Sequence, residues 1–262
     1  MDKKIWIVIA LVVVAFGGLV WWGSTRVNPN VISSAQVDLF DPAKLITDNT
    51  LPEGFINDGK TPATSTSNVT DHYYGNKDAK VVFIEYGDLA CSHCAMYDPI
   101  IEKARETYND KVVFVFRYFY LGNQGTNGLA AATAVEAAAR QNKFWEMKKL
   151  VYEKQADWFY ASASDRKGIL QTYAEQLGLN IDQWSNDYDN YQSNGIKTRI
   201  DFGHALGDRI KVSGTPTLMI NGHKLDSDNN PADKWNSQDL LNALIDQAIK
   251  DAYGDNAEST KP

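Results

Sequence analysis

The chain has 262 residues, of which 44% are hydrophobic and 23% charged, and its formal net charge is −7. This composition is typical of a globular protein and excludes a disordered or collagenous chain. No basic cluster is present that could follow a nucleic-acid backbone, so we expect no nucleic-acid partner. Only two cysteines occur, which excludes both a disulfide framework and a four-thiolate zinc site.

Residues 5–22 form an apolar run without a charged side chain. A helix of this length spans about 27 Å, close to the roughly 30 Å hydrocarbon core of a bilayer. Tryptophans lie at both ends of the run and two lysines precede it, so we predict a transmembrane anchor with residues 1–4 in the cytoplasm and the rest of the chain outside. The alternative is a cleaved signal peptide, for which residues 15–17 offer a weak small-x-small site. Either interpretation predicts that the chain is exported.

The next segment, residues 23–70, is rich in Asn, Thr, Ser, Pro and Asp, which predicts a flexible linker. A single domain is expected to follow over residues 71–255, with residues 256–262 as a disordered tail. Apolar runs at 81–86 and 112–119 predict two buried parallel strands. Apolar spacing between the two runs predicts a connecting helix from Cys94 to Tyr108, so this part of the chain is expected to form a βαβ unit.

Helical patterns then follow one another from residue 128 to residue 209. One of these helices is predicted to begin at a Ser164 cap and to end before Gly178. Residues 217–225 contain a central Asn-Gly pair, which predicts a β-hairpin, and a last helix is expected over 237–249. The acidic residues 226–233 are interpreted as a solvated loop, because their spacing does not fit a calcium-binding EF-hand. The fold class is therefore α/β with a helical insertion at about 122–210.

The two cysteines form a Cys91-Ser92-His93-Cys94 motif just after a predicted strand, at the start of a predicted helix. Unpaired backbone N–H groups and the helix dipole favour a thiolate there, so we predict Cys91 as nucleophile and Cys94 as the resolving thiol. A purely structural disulfide is disfavoured, because closing a four-residue loop constrains the unfolded chain little. A metal site would need further ligands at a short spacing, and none is predicted.

Three further features are candidates for the same site. The imidazolium of His93 would stabilise the Cys91 thiolate and so make the disulfide a stronger oxidant; the alternative is a surface histidine without a role. Glu85 is either the exposed end of an edge strand or a buried acid that exchanges protons with Cys94. The Thr215-Pro216 peptide bond is a candidate cis bond, which would leave the Thr215 backbone free to pair with an extended substrate.

Four stretches resemble the DsbA-like branch of the thioredoxin superfamily, especially the membrane-tethered thiol:disulfide oxidoreductases of bacteria. They are VVFIEYGDLACSHC at 81–94, Pro99, FRYFYLG at 116–122 and KVSGTPTLMINGHKL at 211–225. The resemblance implies a thioredoxin fold with an inserted helical domain and no cofactor beyond the redox-active disulfide.

The same resemblance assigns roles to individual residues. It implies that Cys91 is exposed and Cys94 buried, that Thr215-Pro216 is a cis-proline loop facing the thiols, and that Glu85 is the family's acid beneath the active site. One departure concerns Ser92, because many relatives carry proline at this position. Serine does not rigidify the start of the helix, so the resemblance implies the exchange chemistry without implying a particular reduction potential.

In this family the domain donates its disulfide to reduced exported proteins and is reoxidised by a quinone-linked membrane protein of the DsbB-like or VKOR-like kind. We therefore predict an extracytoplasmic oxidase held at the cell membrane by a single-pass anchor. A reductase or isomerase of the same fold is the first alternative. The second is a metallochaperone module that binds copper(I) through Cys91, Cys94 and His93.

Overall fold

The computed structural model describes residues 42–46, 70–121, 125–225 and 234–254. The predicted anchor, the tail, the acidic loop at 226–233 and most of the predicted linker lie outside these ranges. Within the described ranges, no helix combines the length and the apolar character needed to span a bilayer. The anchor at residues 5–22 therefore stays a prediction.

A five-stranded sheet with the strand order β1-β3-β2-β4-β5 is the centre of the fold. Its strands are β1 (His72–Tyr74), β2 (Val81–Gly87), β3 (Val112–Tyr118), β4 (Thr217–Ile220) and β5 (His223–Lys224). Strands β2 and β3 are parallel, and the other three pairings are antiparallel. Helix α1 (Ser92–Tyr108) connects β2 to β3, which confirms the predicted βαβ unit. Strand β1 was not predicted, because three residues are too few for a periodic pattern.

The helical insertion lies between β3 and β4, and its described residues form six helices. They are α2 (Gly125–Ala139), α3 (Phe144–Glu153), α4 (Gln155–Phe159), α5 (Ala163–Gln176), α6 (Ile181–Asp189) and α7 (Ile196–Arg209). Small side chains of α2, such as Ala134 and Ala138, are fully buried and pack against the surrounding helices. The predicted insertion is thus confirmed, with one local correction. Helix α5 is capped by Ser162 rather than Ser164, since Ser162 Oγ accepts a hydrogen bond from the backbone of Asp165.

The hairpin and the last helix also follow the sequence pattern. Asn221 and Gly222 have φ values of 48° and 81°, the left-handed conformations that a tight two-residue turn between β4 and β5 requires. Helix α8 (Gln238–Tyr253) begins after Ser237, whose side chain accepts a hydrogen bond from the backbone N–H of Leu240. It buries Leu241 in a core shared with α1 and the sheet.

Residues 42–46 belong to the folded domain, although the sequence predicts a flexible linker there. Ile46 is 3% exposed and packs on the face of the sheet that α7 covers. Arg117 of β3 donates hydrogen bonds to the carbonyl oxygens of Pro42 and Lys44, at 2.6 and 2.7 Å. Asp71 accepts a hydrogen bond from the Ile46 backbone and forms a buried ion pair with Arg117 at 2.7 Å. Residue composition predicts a linker here, but these hydrogen bonds and the burial of Ile46 fix the segment.

Arg117→Met is expected to lower the free energy of unfolding by about 3 to 5 kcal/mol, because Asp71 would stay buried without its cation. It should also expose residues 42–46 to proteases, because two of their carbonyl groups lose their donor. Denaturant unfolding and limited proteolysis measure the two effects. The control is Lys167→Met, which removes an ion pair with the exposed Asp189 and should cost less than about 1 kcal/mol. Equal stabilities of the two variants would contradict this account of the segment.

Candidate active site

A tight turn between β2 and α1 positions the first cysteine. Asp88 Oδ1 accepts a hydrogen bond from the Ala90 backbone at 2.9 Å, and the Asp88 carbonyl accepts one from the Cys91 backbone at 2.9 Å. Cys91 is the N-cap residue of α1, with an extended backbone and no side-chain capping bond. The N–H groups of the first helical turn have no partners earlier in the helix, so they are available to the Cys91 sulfur.

Cys91 is partly buried, and its surroundings favour the thiolate. Its pKa is lowered to about 5, chiefly by a hydrogen bond from the Cys94 thiol. Burial opposes this shift, while the Thr215 side chain and the backbone N–H groups of Cys94 and His93 add to it. Cys91 is therefore a thiolate at neutral pH, as a nucleophile requires.

Cys94 has the opposite properties. It is buried, and burial together with the neighbouring Cys91 sulfur raises its pKa well above the ordinary value. A thiol of this kind stays protonated until a base or a disulfide exchange removes its proton. The two environments suit the predicted roles of nucleophile and resolving thiol.

The loop before β4 faces the cysteines. The Thr215–Pro216 peptide bond is cis, and the Cys91 sulfur lies 3.3 Å from the Thr215 carbonyl oxygen, to which Cys91 donates only in its protonated form. The hydroxyl of Thr215 is buried and has no hydrogen-bond partner among the described residues, so it is available to donate to the thiolate. Thr217 closes the loop by donating to the Gly214 carbonyl at 2.8 Å. The loop thus lies beside the reactive sulfur.

Ser92 and His93 are exposed at the start of α1. The contribution of His93 to the low pKa of Cys91 comes from its backbone N–H group. The electrostatic role of the imidazole therefore stays a prediction.

Glu85 is a buried carboxyl group, since it is 2% exposed and lies in β2 between Phe116 of β3 and Leu218 of β4. The edge-strand alternative is therefore wrong. Burial raises the pKa of Glu85 to about 7, although the Lys148 ammonium, 3.7 Å away, opposes the shift. One carboxyl oxygen has no partner among the described residues, so Glu85 can hold or release a proton near neutral pH.

Lys148 is a functional-site residue that the sequence analysis missed. It belongs to α3 of the insertion and is fully buried, with its Nζ atom near Asp98 and 3.6 Å from Glu102. Although burial opposes its charge, these carboxylates and Glu85 raise its pKa above the ordinary value. The signal in the sequence is a lysine within the apolar stripe of α3, next to Met147.

Within the described residues, no group of three or more His, Cys, Asp or Glu side chains is placed to hold a metal ion. Among the described residues, the Cys91 and Cys94 thiols lie within hydrogen-bonding reach of each other.

Comparison with known proteins finds a matching family model and similar solved structures. Residues 67–246 match the model of the family described as Thioredoxin. The fold is similar to oxidised BdbD from Bacillus subtilis, with 21% identity, 69% of this chain and 93% of that chain covered, and a TM-score of 0.57. The fold is also similar to alpha-DsbA1 from Wolbachia pipientis, with 23% identity, 70% of this chain and 92% of that chain covered, and a TM-score of 0.56. MdbA, a thiol-disulfide oxidoreductase from Actinomyces oris, has 16% identity, coverages of 68% and 86%, and a TM-score of 0.54.

Sequence relatives include parts of larger proteins. The Na(+)/H(+) antiporter NhaA 1 of Mycolicibacterium vanbaalenii is 31% identical over 176 residues, which is 66% of this chain and 26% of the antiporter. NhaA 3 of Salinispora tropica is 32% identical over 154 residues, or 59% of this chain and 22% of that protein. The matched segments thus span about a quarter of the length of these curated relatives.

Proposed function

Because this chain belongs to the thioredoxin family and has the fold of DsbA-like thiol-disulfide oxidoreductases, we propose that it is an oxidase that donates a disulfide to exported proteins. One observation carries the proposal. A partly buried Cys91 with a low pKa lies beside a buried Cys94 with a high pKa. This asymmetry suits a disulfide that is readily reduced by a protein thiol.

The proposed reaction has two exchange steps. A substrate thiolate attacks the Cys91 sulfur, the Cys91–Cys94 bond breaks, and Cys94 leaves as a thiolate that takes up a proton. A second substrate thiolate then attacks the substrate sulfur of the mixed disulfide, and Cys91 leaves as a thiolate. The substrate dithiol loses two electrons and the enzyme disulfide gains them. The low pKa of Cys91 favours the second step because it makes Cys91 a good leaving group.

Glu85 supplies the proton in the first step. The Cys94 thiolate forms in a buried place that disfavours its charge, so protonation promotes its departure. The Glu85 carboxyl group, with a pKa of about 7, is protonated in part of the population at neutral pH and can be reprotonated after each cycle.

The low pKa of Cys91 supports transfer of the disulfide from the enzyme to the substrate. Folding lowers the pKa of Cys91 in the reduced protein, whereas the oxidised protein has no thiolate to stabilise. This stabilisation of the reduced form is complete above the ordinary cysteine pKa and is lost as the pH falls through about 5. At neutral pH the reduced form is favoured, which raises the reduction potential and supports the oxidase over the reductase or isomerase.

The proposal includes a location and partners. The chain is held at the cell membrane by residues 5–22, with the catalytic domain outside, and a quinone-linked membrane protein, DsbB-like or VKOR-like, reoxidises it. The apolar run supports the first part, and the family resemblance supports the second.

The oxidised chain, mixed in equal amount with a reduced, unfolded test protein, is expected to transfer its disulfide. Alkylation of the remaining thiols followed by mass spectrometry measures the transfer. Failure to oxidise the test protein, combined with reduction of a disulfide-containing one, would replace the oxidase by the reductase alternative. Tight copper(I) binding without thiol exchange would favour the metallochaperone alternative.

His93→Ala is expected to raise the pKa of Cys91 and to lower the equilibrium constant for oxidation of glutathione about tenfold, equivalent to about 30 mV. The reason is the prediction from the sequence that an imidazolium at position 93 would stabilise the Cys91 thiolate, which alanine cannot do. Thiolate absorbance against pH and equilibration with glutathione measure the two quantities. His223→Ala, which changes an exposed histidine on β5, is the control. Unchanged values in His93→Ala would mean that the imidazole has no electrostatic role.

A further inference from the structure

We propose that Gln155, in the helical insertion, is a positioning residue that holds the turn carrying Cys91 in its reactive geometry. The inference rests on the proposed function, because it names a residue that supports the same redox pair. Gln155 is the first residue of α4 and is far from the Cys91-Ser92-His93-Cys94 motif in sequence. Nothing in the sequence pattern singles it out.

The Gln155 side chain makes two hydrogen bonds to the turn that carries Cys91. Gln155 Nε2 donates to the carbonyl oxygen of Leu89 at 2.7 Å and to that of Cys91 at 3.1 Å. An amide NH2 group has two donors, and both are used on the carbonyl groups that flank Ala90. The side chain therefore fixes two peptide units of a single turn.

The second of these carbonyl groups begins the redox helix. The Cys91 carbonyl also accepts the hydrogen bond from the Ala95 backbone at 3.1 Å, which is the first bond of α1. The orientation of this peptide therefore determines where the first helical turn points. Among the hydrogen bonds described for residues 88–91, those from Gln155 are the ones that come from a helix of the insertion.

Gln155 has a rigid support. Trp158, in the same short helix, is fully buried, and its indole N–H donates to the Val151 carbonyl at 2.9 Å. This anchors α4 to α3, so the amide of Gln155 is held at a fixed distance from the turn. A support of this kind is needed to keep reactive groups within a fraction of an ångström of their working geometry.

The consequence concerns the thiolate. The backbone N–H groups of His93 and Cys94 stabilise the Cys91 thiolate only while they point at its sulfur. If the Gln155 bonds are lost, the turn can rotate, and those N–H groups point away for part of the time. The reduced form then loses stabilisation relative to the disulfide, so the protein becomes a weaker oxidant.

Gln155→Met keeps the length of the side chain but has no N–H donor. It is expected to lower the equilibrium constant for oxidation of glutathione by about threefold to tenfold, which corresponds to one or two modest hydrogen bonds. The pKa of Cys91 should rise with it. Gln155→Glu places a carboxylate against two carbonyl groups and near the thiolate, so its effect should be larger.

The matched control is Gln141→Met. Gln141 also bridges two backbone groups, with Nε2 donating to the Asn180 carbonyl at 3.0 Å and Oε1 accepting from the Asn180 N–H at 2.8 Å. Both of its partners lie within the insertion, so the loss should reduce stability at most and leave the pKa of Cys91 unchanged.

The experiment measures the glutathione equilibrium constant, the pKa of Cys91 and the denaturant unfolding of the oxidised form for the wild-type chain and all three variants. The positioning role would be overturned if Gln155→Met kept the wild-type equilibrium constant and the wild-type pKa of Cys91. It would also be overturned if Gln141→Met shifted these two quantities as much as Gln155→Met does. The proposed oxidase function is tested separately by the wild-type value alone, because the Gln155 effect is a ratio of variant to wild type.

Discussion

Cys91→Ser is expected to abolish thiol-disulfide exchange, whereas Cys94→Ser is expected to accumulate mixed disulfides through Cys91. Cys91 is the partly exposed cysteine with the low pKa, so its loss removes the sulfur that forms the mixed disulfide in either direction of exchange. In Cys94→Ser, the Cys91 thiolate can still attack the disulfide of a test protein, but the buried Cys94 thiol that would attack Cys91 and release the partner is missing.

A second substitution at position 94 tests the hydrogen bond from Cys94 to Cys91. The Cys94 thiol is the largest contributor to the low pKa of Cys91, through a hydrogen bond. Serine keeps a donor at that position and alanine does not, so the pKa of Cys91 should be lower in Cys94→Ser than in Cys94→Ala. Non-reducing electrophoresis and mass spectrometry with a disulfide-containing test protein measure the trapped species. Near-normal turnover in both Cys91→Ser and Cys94→Ser would refute the assigned roles.

Lys148→Met is expected to lower the free energy of unfolding by about 3 to 5 kcal/mol at pH 8, the cost of removing one partner from a buried ion cluster. Three carboxyl groups, those of Glu85, Asp98 and Glu102, lie within 3.7 Å of its ammonium group. Without the cation, the charged forms of these groups stay buried and uncompensated.

The loss of stability should depend on pH in a defined direction. Burial already raises the pKa values of Glu85 and Asp98, and removal of Lys148 raises them further. The folded state then binds more protons than the unfolded state above about pH 4, so its stability falls as the pH rises toward 8. The destabilisation by Lys148→Met should therefore be smaller at pH 5 than at pH 8.

The neighbouring lysine provides the control for this prediction. Lys149 lies on the exposed side of α3, where its ion pair with Glu153 has a length of 3.8 Å and both side chains are 49% exposed. Lys149→Met should change the unfolding free energy by less than about 1 kcal/mol at either pH. Denaturant unfolding at pH 5 and pH 8 compares the two variants. Similar small effects for both would mean that the buried cluster does not contribute to stability as described.

The fold was predictable wherever residue periodicity reflects burial. Apart from Glu85 and Gly87, strand β2 consists of β-branched and aromatic residues, and the structure places it in the middle of the sheet. Residues 42–46 show where this approach fails, since a segment with the composition of a linker is fixed by Arg117 of a distant strand. A hydrogen bond between residues so far apart in sequence leaves no periodic pattern.

The site was predictable to a similar degree. The spacing of Cys91 and Cys94 and their place at the start of a helix are visible in the sequence. Glu85 was ambiguous because strand alternation does not distinguish a central strand from an edge strand. Lys148 and Gln155 come from the insertion, more than 50 residues after the motif, so their role depends on how the insertion packs against α1.

The reduction potential of the Cys91–Cys94 pair distinguishes an oxidase from a reductant. It is determined by equilibrating the chain with glutathione at pH 7 and alkylating the free thiols. The chain must include residues 42–46, because they are part of the folded domain. Because the Cys91 thiolate is stabilised, we predict a reduction potential of about −120 mV, the value of DsbA. A reduction potential of about −270 mV, the value of thioredoxin, would contradict the oxidase function and would mean that the chain is a reductant with the same fold.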